Sequence, residues 1–538
     1  MQKNNRNFIC ALIAVLFAIC FFVGKHFDKG WKLQLDIWCI MKLILTVAVV
    51  YFAVCCIYKG MDLLGRGRIR KNRINELVFE KNRGKNIWPI LILLWLPNYV
   101  LYFPGCLTYD AINQLEQFVS GQWTNHHPIL TTFIESAIVV PLKNIGRFEM
   151  GTAVYLMIIL LFSSGVVAWG FQWMRKHEIS YAVRWAGLIF FGFYPLWSAY
   201  ARTLVKDTLF YPVFYLFILQ VMDIVFYDGK FFDCKRKIFK FSLLCLLLCL
   251  IRHNGFYIVA ATLAGLIWFC RNNRGKCVII FFAVVIFWEG YNAALPALGV
   301  VPGGKQEMLS IPFQQTARYV KEHGGEVTEE ERRAIDRVLD YKVIAENYDP
   351  NLSDPVKNTY RQKDEYLGDY FRVWWQQFLK HPKTYIKATL NGTYGYYAWK
   401  NKIKYPFGYN VQPEGHRLYA TDYKLTFNSK LEKERALYEK AATAVFVRGP
   451  LKILTESMLY NWFFILLFGY MIQNKQIRRY WVIFLPFWVS FFICLASPVN
   501  GDLRYMLPVM SVWPLYLAFI VRQTAEAKQK LKEQGQGN

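Results

Sequence analysis

Residues 104–132 read PGCLTYDAINQLEQFVSGQWTNHHPILTT and follow an apolar run, 87–103, with the composition of a membrane span. The stretch carries one carboxylate just past the predicted membrane boundary, Asp110, and two adjacent imidazoles, His126 and His127. A polar, histidine-containing segment at the mouth of a membrane bundle is a favourable place for chemistry on a membrane-bound substrate. We therefore interpret it as a functional first outer loop. The ordinary alternative is a solvated loop with no special role.

The composition of the whole chain supports a membrane setting for this loop. Of its 538 residues, 55% are hydrophobic and 18% aromatic, and the mean hydropathy is +0.18. These values are typical of an all-α polytopic membrane protein and exclude an ordinary soluble enzyme of this size. The net charge of +26 does not indicate a nucleic-acid partner. Many of the basic residues lie in short loops between apolar runs, where the positive-inside rule places them.

The cysteines point in the same direction. Most of the 12 cysteines lie inside apolar runs, and the long hydrophilic segment at about 296–450 contains none. This distribution predicts neither a disulfide framework nor a cysteine zinc site.

The apolar runs predict about 12 membrane-spanning helices. The first run lacks a small-residue cleavage site before Lys25, so we expect it to remain as a span rather than to be a signal peptide. The RHNG sequence between the seventh and eighth runs leaves a re-entrant pair as an alternative there. The predicted spans are 8–24, 37–58, 87–103, 150–172, 183–200, 207–227, 239–252, 255–270, 277–295, 456–473, 480–497 and 505–522.

The basic loops give an orientation to these spans. With a cytoplasmic N-terminus, the densely basic loop 59–85, the loop 230–240 and the tail after 522 all fall on the cytoplasmic side, so both termini are predicted there. If residues 129–146 crossed the membrane, every later loop would lie on the side opposite to the one predicted here. We therefore expect a helix at the outer interface, with Glu135, Lys143 and Arg147 toward water. A true span is the alternative.

Four parts of the chain follow from this topology. They are two N-terminal transmembrane helices with a basic cytoplasmic loop, a transmembrane core that includes the first outer loop 104–149, a mostly helical extracytoplasmic domain, and C-terminal transmembrane helices with a cytoplasmic tail. Their predicted bounds are 1–86, 87–295, 296–455 and 456–538.

Several cations lie in the loops of the predicted outer face. Arg202 and Lys206 belong to the turn ARTLVKD, Arg252 to RHNG, and Arg504 to NGDLRY. Guanidinium and ammonium groups bind phosphate oxygens through charge-assisted hydrogen bonds, so this set predicts a site for a phosphate group near Asp110. Each cation also has an ordinary explanation, such as an ion pair at a helix start or an interfacial side chain.

The order of these motifs carries a resemblance to a known family. TYDAINQ and NHHP are followed by the Lys-Asp turn, RHNG, SIPFQQTAR, WWQQFLKHPKTYI and NGDLRYMLP, over about 87–508. The chain resembles uncharacterised multi-pass bacterial membrane proteins related to the fold-C (GT-C) glycosyltransferases. Characterised relatives of that group are the protein O-mannosyltransferases and the aminoarabinose transferases of lipid A.

The resemblance implies a helical, GT-C-like membrane enzyme that uses a polyprenyl-phosphate sugar donor, with its active site facing outward from a bacterial plasma membrane. It implies Asp110 as the catalytic residue, although the relatives often have an acidic pair and here Ala111 follows. The acceptor would be a cell-envelope glycan, lipid or protein. No internal repeat supports a lipid or polysaccharide transporter, which remains an alternative beside a polysaccharide polymerase or ligase.

The predicted roles of the site residues can be stated together. Asp110 is the general base, and His126 or His127 orients it or the acceptor. A divalent ion on Asp110 and the two histidines is a less favoured alternative, because adjacent histidines do not easily point the same way. The predicted phosphate-binding residues are Lys206, Arg252, Arg202 and Arg504, and the predicted substrate-binding residues are Gln114, His253, Asn254, Gln314 and Asp502.

Overall fold

A computed structural model of the chain describes residues 2–29, 36–66, 72–400, 407 and 422–535. Of these residues 81% are helical, so the predicted all-α class is confirmed. The long helices are α1 Gln2–Lys29, α2 Ile37–Arg66, α3 Ile87–Leu101, α4 Tyr109–Ser120, α5 Ile129–Asn144, α6 Phe148–Lys176, α7 Tyr181–Phe193, α8 Pro195–Ala201, α9 Asp207–Phe226, α10 Lys235–Ile251, α11 Asn254–Phe269, α12 Arg274–Ala297, α13 Ser310–His323, α14 Glu329–Val338, α15 Leu367–Lys380, α16 Pro382–Thr393, α17 Glu432–Ala442, α18 Ser457–Gln473, α19 Leu485–Leu495 and α20 Leu503–Gly535.

Shorter helical turns join these helices. They include Arg73–Asn75, Tyr341–Ile344, Asp354–Lys357 and Ile477–Tyr480. The two strands of the described chain are β1 Cys106–Leu107 and β2 Thr203–Leu204.

Seven helical stretches among the described residues are long and apolar enough to cross a membrane, and the chain is therefore a membrane protein. They are Asn7–Asp28, Ile37–Gly65, Phe148–Lys176, Asp207–Phe226, Arg271–Ala297, Ile477–Leu495 and Leu503–Lys530. Four of the other predicted spans form shorter apolar helices, Ile87–Leu101, Tyr181–Phe193, Asn254–Phe269 and Ser457–Gln473. The predicted span 239–252 corresponds to α10 except for its last residue, Arg252, which follows the helix.

The predicted continuous span 183–200 is wrong in one detail. The helix breaks at Tyr194, whose φ of −78° and ψ of 113° are extended, and α8 starts at Pro195. A residue before proline is disfavoured in the helical region, because the proline ring collides with its backbone. The short helix α8 separates this break from the loop that carries Arg202 and Lys206.

The helix α5 corresponds to the segment predicted at the outer interface. It is 16 residues long and is not among the candidate spans of the described chain. One expectation about it is wrong: Glu135 does not face water but is 0% exposed. The reason is that α5 packs against both α4 and α6, so the face carrying Glu135 is covered by its neighbours.

Two hydrophobic cores organise the described residues. The larger core runs through the membrane helices, and the smaller one lies within the predicted extracytoplasmic segment. The smaller core is built from α13, α14 and α15, with Phe313, Ile335 and Tyr370 each 0% exposed. A capping box between Thr328 and Glu331 starts α14. A separate core is what a folded domain outside the bilayer requires.

Candidate functional site

A short parallel strand pair brings two distant loops together. Cys106 pairs with Thr203 and Leu107 with Leu204, so β1 and β2 run in the same direction. The chain continues from the paired strands toward the same end. Asp110 follows β1 by three residues and Lys206 follows β2 by two. This pairing explains why the two predicted site residues meet.

The carboxylates of these loops lie at helix N-termini. Thr108 caps α4 by accepting a hydrogen bond from the backbone amide of Ala111, which places Asp110 in the first turn. Asp207 is the first residue of α9. The positive end of a helix stabilises a carboxylate, so the starts of α4 and α9 each favour an ionised aspartate.

The Asp110 carboxylate contacts two cations. Its Oδ2 lies 2.5 Å from Nη2 of Arg504 and 3.4 Å from Nζ of Lys206. Burial alone would raise the pKa of Asp110, but Lys206 and Arg504 outweigh it and hold that pKa well below its usual value. Asp110 is therefore ionised at neutral pH. Its side chain is 28% exposed, so a substrate can reach it.

A second carboxylate, Asp207, is buried and pairs with two of the cations, Arg252 and Arg504. Its Oδ2 accepts a hydrogen bond from Nε of Arg504 at 2.6 Å, and its Oδ1 lies 2.6 Å from Nη1 of Arg252. The Asp207 side chain is 0% exposed, so it is out of reach of any substrate. Arg504 thus bridges a buried carboxylate and an accessible one, and Asp207 fixes the positions of both arginines.

The paired histidines have different surroundings. His127 is buried, and its Nδ1 lies 2.9 Å from Nζ of Lys206. Because an ammonium group only donates, His127 accepts at Nδ1 and carries its proton on Nε2. Burial and the Lys206 charge hold the pKa of His127 well below its usual value, so the ring is neutral. His126 is exposed and meets the His127 ring edge-on at 4.5 Å between centroids.

Lys206 is the centre of the cluster. Burial lowers its pKa, although Asp110 and Asp207 oppose that effect. Its ammonium group lies within reach of both Asp110 and His127. A divalent ion bound by that carboxylate and that imidazole would need the same space, so these residues do not fit a metal site in this arrangement.

Two predicted substrate-binding residues follow Arg252 in the RHNG turn. Nε2 of His253 lies 3.0 Å from the backbone oxygen of Asn125. Burial and the Lys206 charge lower the pKa of His253 to about 4, so it is neutral and donates from Nε2. The turn thereby holds the loop that carries His126 and His127. Asn254 opens α11 and is partly buried.

The structure places Arg202 away from the cluster. It is 0% exposed, and its guanidinium donates to Oδ1 of Asn98 and to the backbone oxygen of Phe407 at 2.7 Å. It also stacks on the ring of Tyr102, 3.5 Å from the centroid. With these partners, Arg202 fixes the packing of α3 against the turn.

The remaining predicted residues make local connections. Gln114 donates to the hydroxyls of Thr131 and Thr132 and so ties α4 to α5. Gln314 donates to the backbone oxygen of Asp349 at 2.7 Å. Oδ1 of Asp502 accepts from the backbone amide of Arg504 at 2.9 Å, which orients the start of α20. These contacts support the site from outside the Asp110 cluster.

Sequence reasoning missed two carboxylates of the site. For Asp207 the sequence indicates only an ordinary helix start. Glu135 is fully buried, and neither of its side-chain oxygens has a hydrogen-bond partner among the described residues. Burial is the main cause that raises the pKa of Glu135 well above its usual value. The Lys206 charge lowers this pKa and the Asp110 charge raises it. The available signal was a single acid inside the apolar sequence ILTTFIESAIVV.

The comparison with known protein families gives one match. Residues 120–534 match the model of a family described as "Family of unknown function (DUF6020)". The chain belongs to this family. The DUF6020 match includes His127, Lys206, Asp207, Arg252 and Arg504, and it begins ten residues after Asp110. No curated protein and no solved structure matches the chain.

Proposed function

We propose that this DUF6020 member is a GT-C-like membrane glycosyltransferase. It moves a sugar from a polyprenyl-phosphate donor to a cell-envelope acceptor on the outer side of a bacterial plasma membrane. The observation that supports this proposal best is the Asp110 cluster. It combines an accessible, ionised carboxylate with Lys206 and Arg504, next to the ends of apolar helices. The motif order that resembles GT-C enzymes supports the same function.

The cations are suited to a phosphate group. Arg504 and Arg252 are oriented by the buried Asp207, so their guanidinium groups are held in place before a ligand arrives. Lys206 adds a compact charge between Asp110 and His127. The donor phosphate is a diester with one negative charge, and its unesterified oxygens accept charge-assisted hydrogen bonds; a second negative charge develops on it as the bond to the sugar breaks. In the proposed complex, Lys206 and Arg504 share their charge between this phosphate and Asp110.

This sharing of cations prepares Asp110 for catalysis. In the free protein the two cations depress the pKa of Asp110, which makes it a poor base. Once their charge is shared with a phosphate, the proton affinity of Asp110 rises toward the range useful for general-base catalysis. The base is thereby activated only when the donor is present.

The proposed reaction is a displacement at the anomeric carbon. The acceptor hydroxyl attacks that carbon as its proton passes to Asp110, and the bond from the carbon to the phosphate oxygen breaks. The lipid phosphate leaves with the bonding electron pair, and Lys206, Arg252 and Arg504 stabilise its charge. Neutral His127 holds Lys206 in position through its Nδ1 acceptor.

The test is a transfer assay with the purified full-length protein in lipid nanodiscs. The substrates are polyprenyl phosphates that carry radiolabelled sugars, together with a cell-envelope extract as acceptor. We expect labelled acceptor and free polyprenyl phosphate to appear in equal amounts. Chain growth on a lipid-linked glycan would indicate a polymerase or ligase. Movement of intact donor across the bilayer of proteoliposomes, without release of polyprenyl phosphate, would indicate a transporter and overturn the proposal.

A further inference from the structure

A second cluster of polar side chains lies in the predicted extracytoplasmic domain. His323 ends α13, Glu326 lies in the turn that follows, and His381 lies between α15 and α16. One ligand atom from each of these residues lies within 4.8 Å of the others. It is the only histidine-containing group of this kind among the described residues.

Glu326 contacts both imidazoles. Nδ1 of His323 lies 3.3 Å from its Oε1, and Nε2 of His381 lies 2.8 Å from its Oε2. The two imidazole rings are stacked, with 3.7 Å between centroids and 10° between planes. Two nitrogens and a carboxylate therefore lie together from two segments of the chain, the end of α13 with its following turn and the junction of α15 and α16.

The neighbours of His323 fix which of its nitrogens is free to bind. Nε2 of His323 lies 3.0 Å from the hydroxyl of Thr384, and that hydroxyl donates to Oε2 of Glu322 at 3.0 Å. Oε1 of Glu322 accepts from Nε of Arg318, so this carboxylate acts as an acceptor toward both Arg318 and Thr384. Thr384 must therefore accept a hydrogen bond from Nε2 of His323. The nitrogen facing Glu326 is Nδ1, the other one.

The three side chains together form a donor set that suits a metal ion. Two imidazole nitrogens and one carboxylate lie close to one another, and the Thr384 hydroxyl is the partner of the remaining nitrogen of His323. A metal ion satisfies all three groups at once, because it accepts the lone pairs of both nitrogens and the carboxylate.

We propose that His323, Glu326 and His381 form a Zn²⁺ site that joins the end of α13 to the junction of α15 and α16. Zinc accepts imidazole and carboxylate ligands at about 2.0–2.2 Å, which places ligand atoms ~3.3 Å apart around a tetrahedron. The present separations of 3.3 and 2.8 Å are close to this spacing, and zinc binding requires the stacked imidazoles to rotate until both lone pairs point at one ion. Thr384 is the outer partner that orients a zinc-bound imidazole. A water molecule completes the fourth position.

The site is independent of the proposed sugar transfer. Its three side chains are 22%, 58% and 30% exposed, so zinc reaches them from solvent. Magnesium and calcium prefer all-oxygen ligand sets and do not suit two imidazoles. The bound ion would stabilise the predicted extracytoplasmic domain, 296–455, which contains no cysteine.

The test uses the full-length protein, stripped with a chelator and then titrated with Zn²⁺ in a calorimeter. We expect one zinc per chain and a higher unfolding temperature with zinc than without. Each of His323→Gln, Glu326→Gln and His381→Gln is expected to abolish the tight site. Thr384→Val, which removes only the outer partner, is expected to weaken zinc binding by about 10–100-fold.

Two variants serve as matched controls. Glu330→Gln changes an exposed acid of the same domain that pairs with Arg372, and His126→Gln changes a histidine of the Asp110 cluster. Both should bind zinc like the parent. Zinc lost in His126→Gln but retained in the Glu326→Gln variant would place the ion at the other cluster and overturn the proposal. So would a thiolate charge-transfer band in the Co²⁺-loaded parent, since this site contains no sulfur.

Discussion

Nη2 of Arg504 lies 2.5 Å from Oδ2 of Asp110, although 394 positions separate the two residues in the chain. The same guanidinium also donates from Nε to the buried carboxylate of Asp207. The start of α20 is thereby joined to the first turns of α4 and α9. The accessible carboxylate of the candidate site thus depends on the last long helix for its position and its charge state.

Replacement of Arg504 tests this connection. In Arg504→Ala the buried Asp207 loses one of its two cations, and removal of one partner from a buried pair typically costs about 3–5 kcal/mol. We expect a lower unfolding temperature in detergent. Arg504→Lys should recover only part of the loss, because a single ammonium does not bridge two carboxylates. Arg522→Lys, in a partly exposed pair further along α20, is the control and should change little.

The proposed phosphate site is tested with two further cations. Lys206→Ala and Arg252→Ala should each weaken binding of a polyprenyl-phosphate donor by about tenfold or more, because a hydrogen bond to a charged group contributes about 1.5–3 kcal/mol. Donor binding can be measured by fluorescence with a labelled lipid. Lys305→Ala removes an exposed cation paired with Asp364 and should bind donor normally. Parental binding by both test variants would show that these cations only anchor the interface.

The buried Glu135 leads to a prediction about how the stability of the protein depends on pH. Its pKa is raised above the ordinary value of 4.5, so the folded protein keeps a proton that the unfolded chain releases. The stability from this group is complete below the unfolded pKa and declines as pH rises toward the folded pKa. Glu135→Gln keeps the shape without the titration. The difference in unfolding temperature, variant minus parent, should therefore increase as the pH rises above about 5.

The control for this prediction is Glu178→Gln, which changes an acid that is 68% exposed. Its unfolding temperature should follow the parent at every pH. If Glu135→Gln also follows the parent across pH 5–8, Glu135 is ionised in the folded protein and has a cation partner.

The orientation of the chain is tested with topology reporters. A reporter fused after Lys240 should be active in the cytoplasm, because the basic loop before it obeys the positive-inside rule. A reporter inserted after Lys363, an exposed residue of the small domain, should be active outside. A cytoplasmic signal from the second position would place the Asp110 cluster on the wrong side for an envelope acceptor.

Composition and apolar runs were sufficient to predict the helical membrane class and the helical segments. The positions of Lys206, Arg252 and Arg504 near Asp110 followed from placing all four on one membrane face. Arg202 shows the limit of that reasoning. It shares a turn with Lys206, but its side chain packs against Tyr102 and Asn98, and nothing in the spacing of the turn indicates this direction.

The two missed carboxylates have a common cause. The sequence places Glu135 toward water only if α5 has one free face, whereas α4 and α6 pack against this helix and Glu135 is buried. The role of Asp207 depends on contacts with Arg252 and Arg504, which lie 45 and 297 positions away in the sequence. Such long-range pairs arise from the packing of helices and have no local sequence pattern.

The central claim, that Asp110 is the general base of a sugar transfer, is tested most directly by comparing Asp110→Asn with Glu116→Gln. Glu116 is the neighbouring acid on α4, and it accepts a hydrogen bond from Tyr423. Both variants should fold. Asp110→Asn should bind donor at least as tightly as the parent, because no carboxylate then competes with the phosphate for Lys206 and Arg504.

The measurement is sugar transfer from a polyprenyl-phosphate donor by both purified variants. We expect Asp110→Asn to lose at least about 10²–10⁴-fold in rate, the usual contribution of general-base catalysis, and Glu116→Gln to stay near the parental rate. Near-parental transfer by Asp110→Asn would contradict the account, and loss of transfer only in Glu116→Gln would move the base to Glu116.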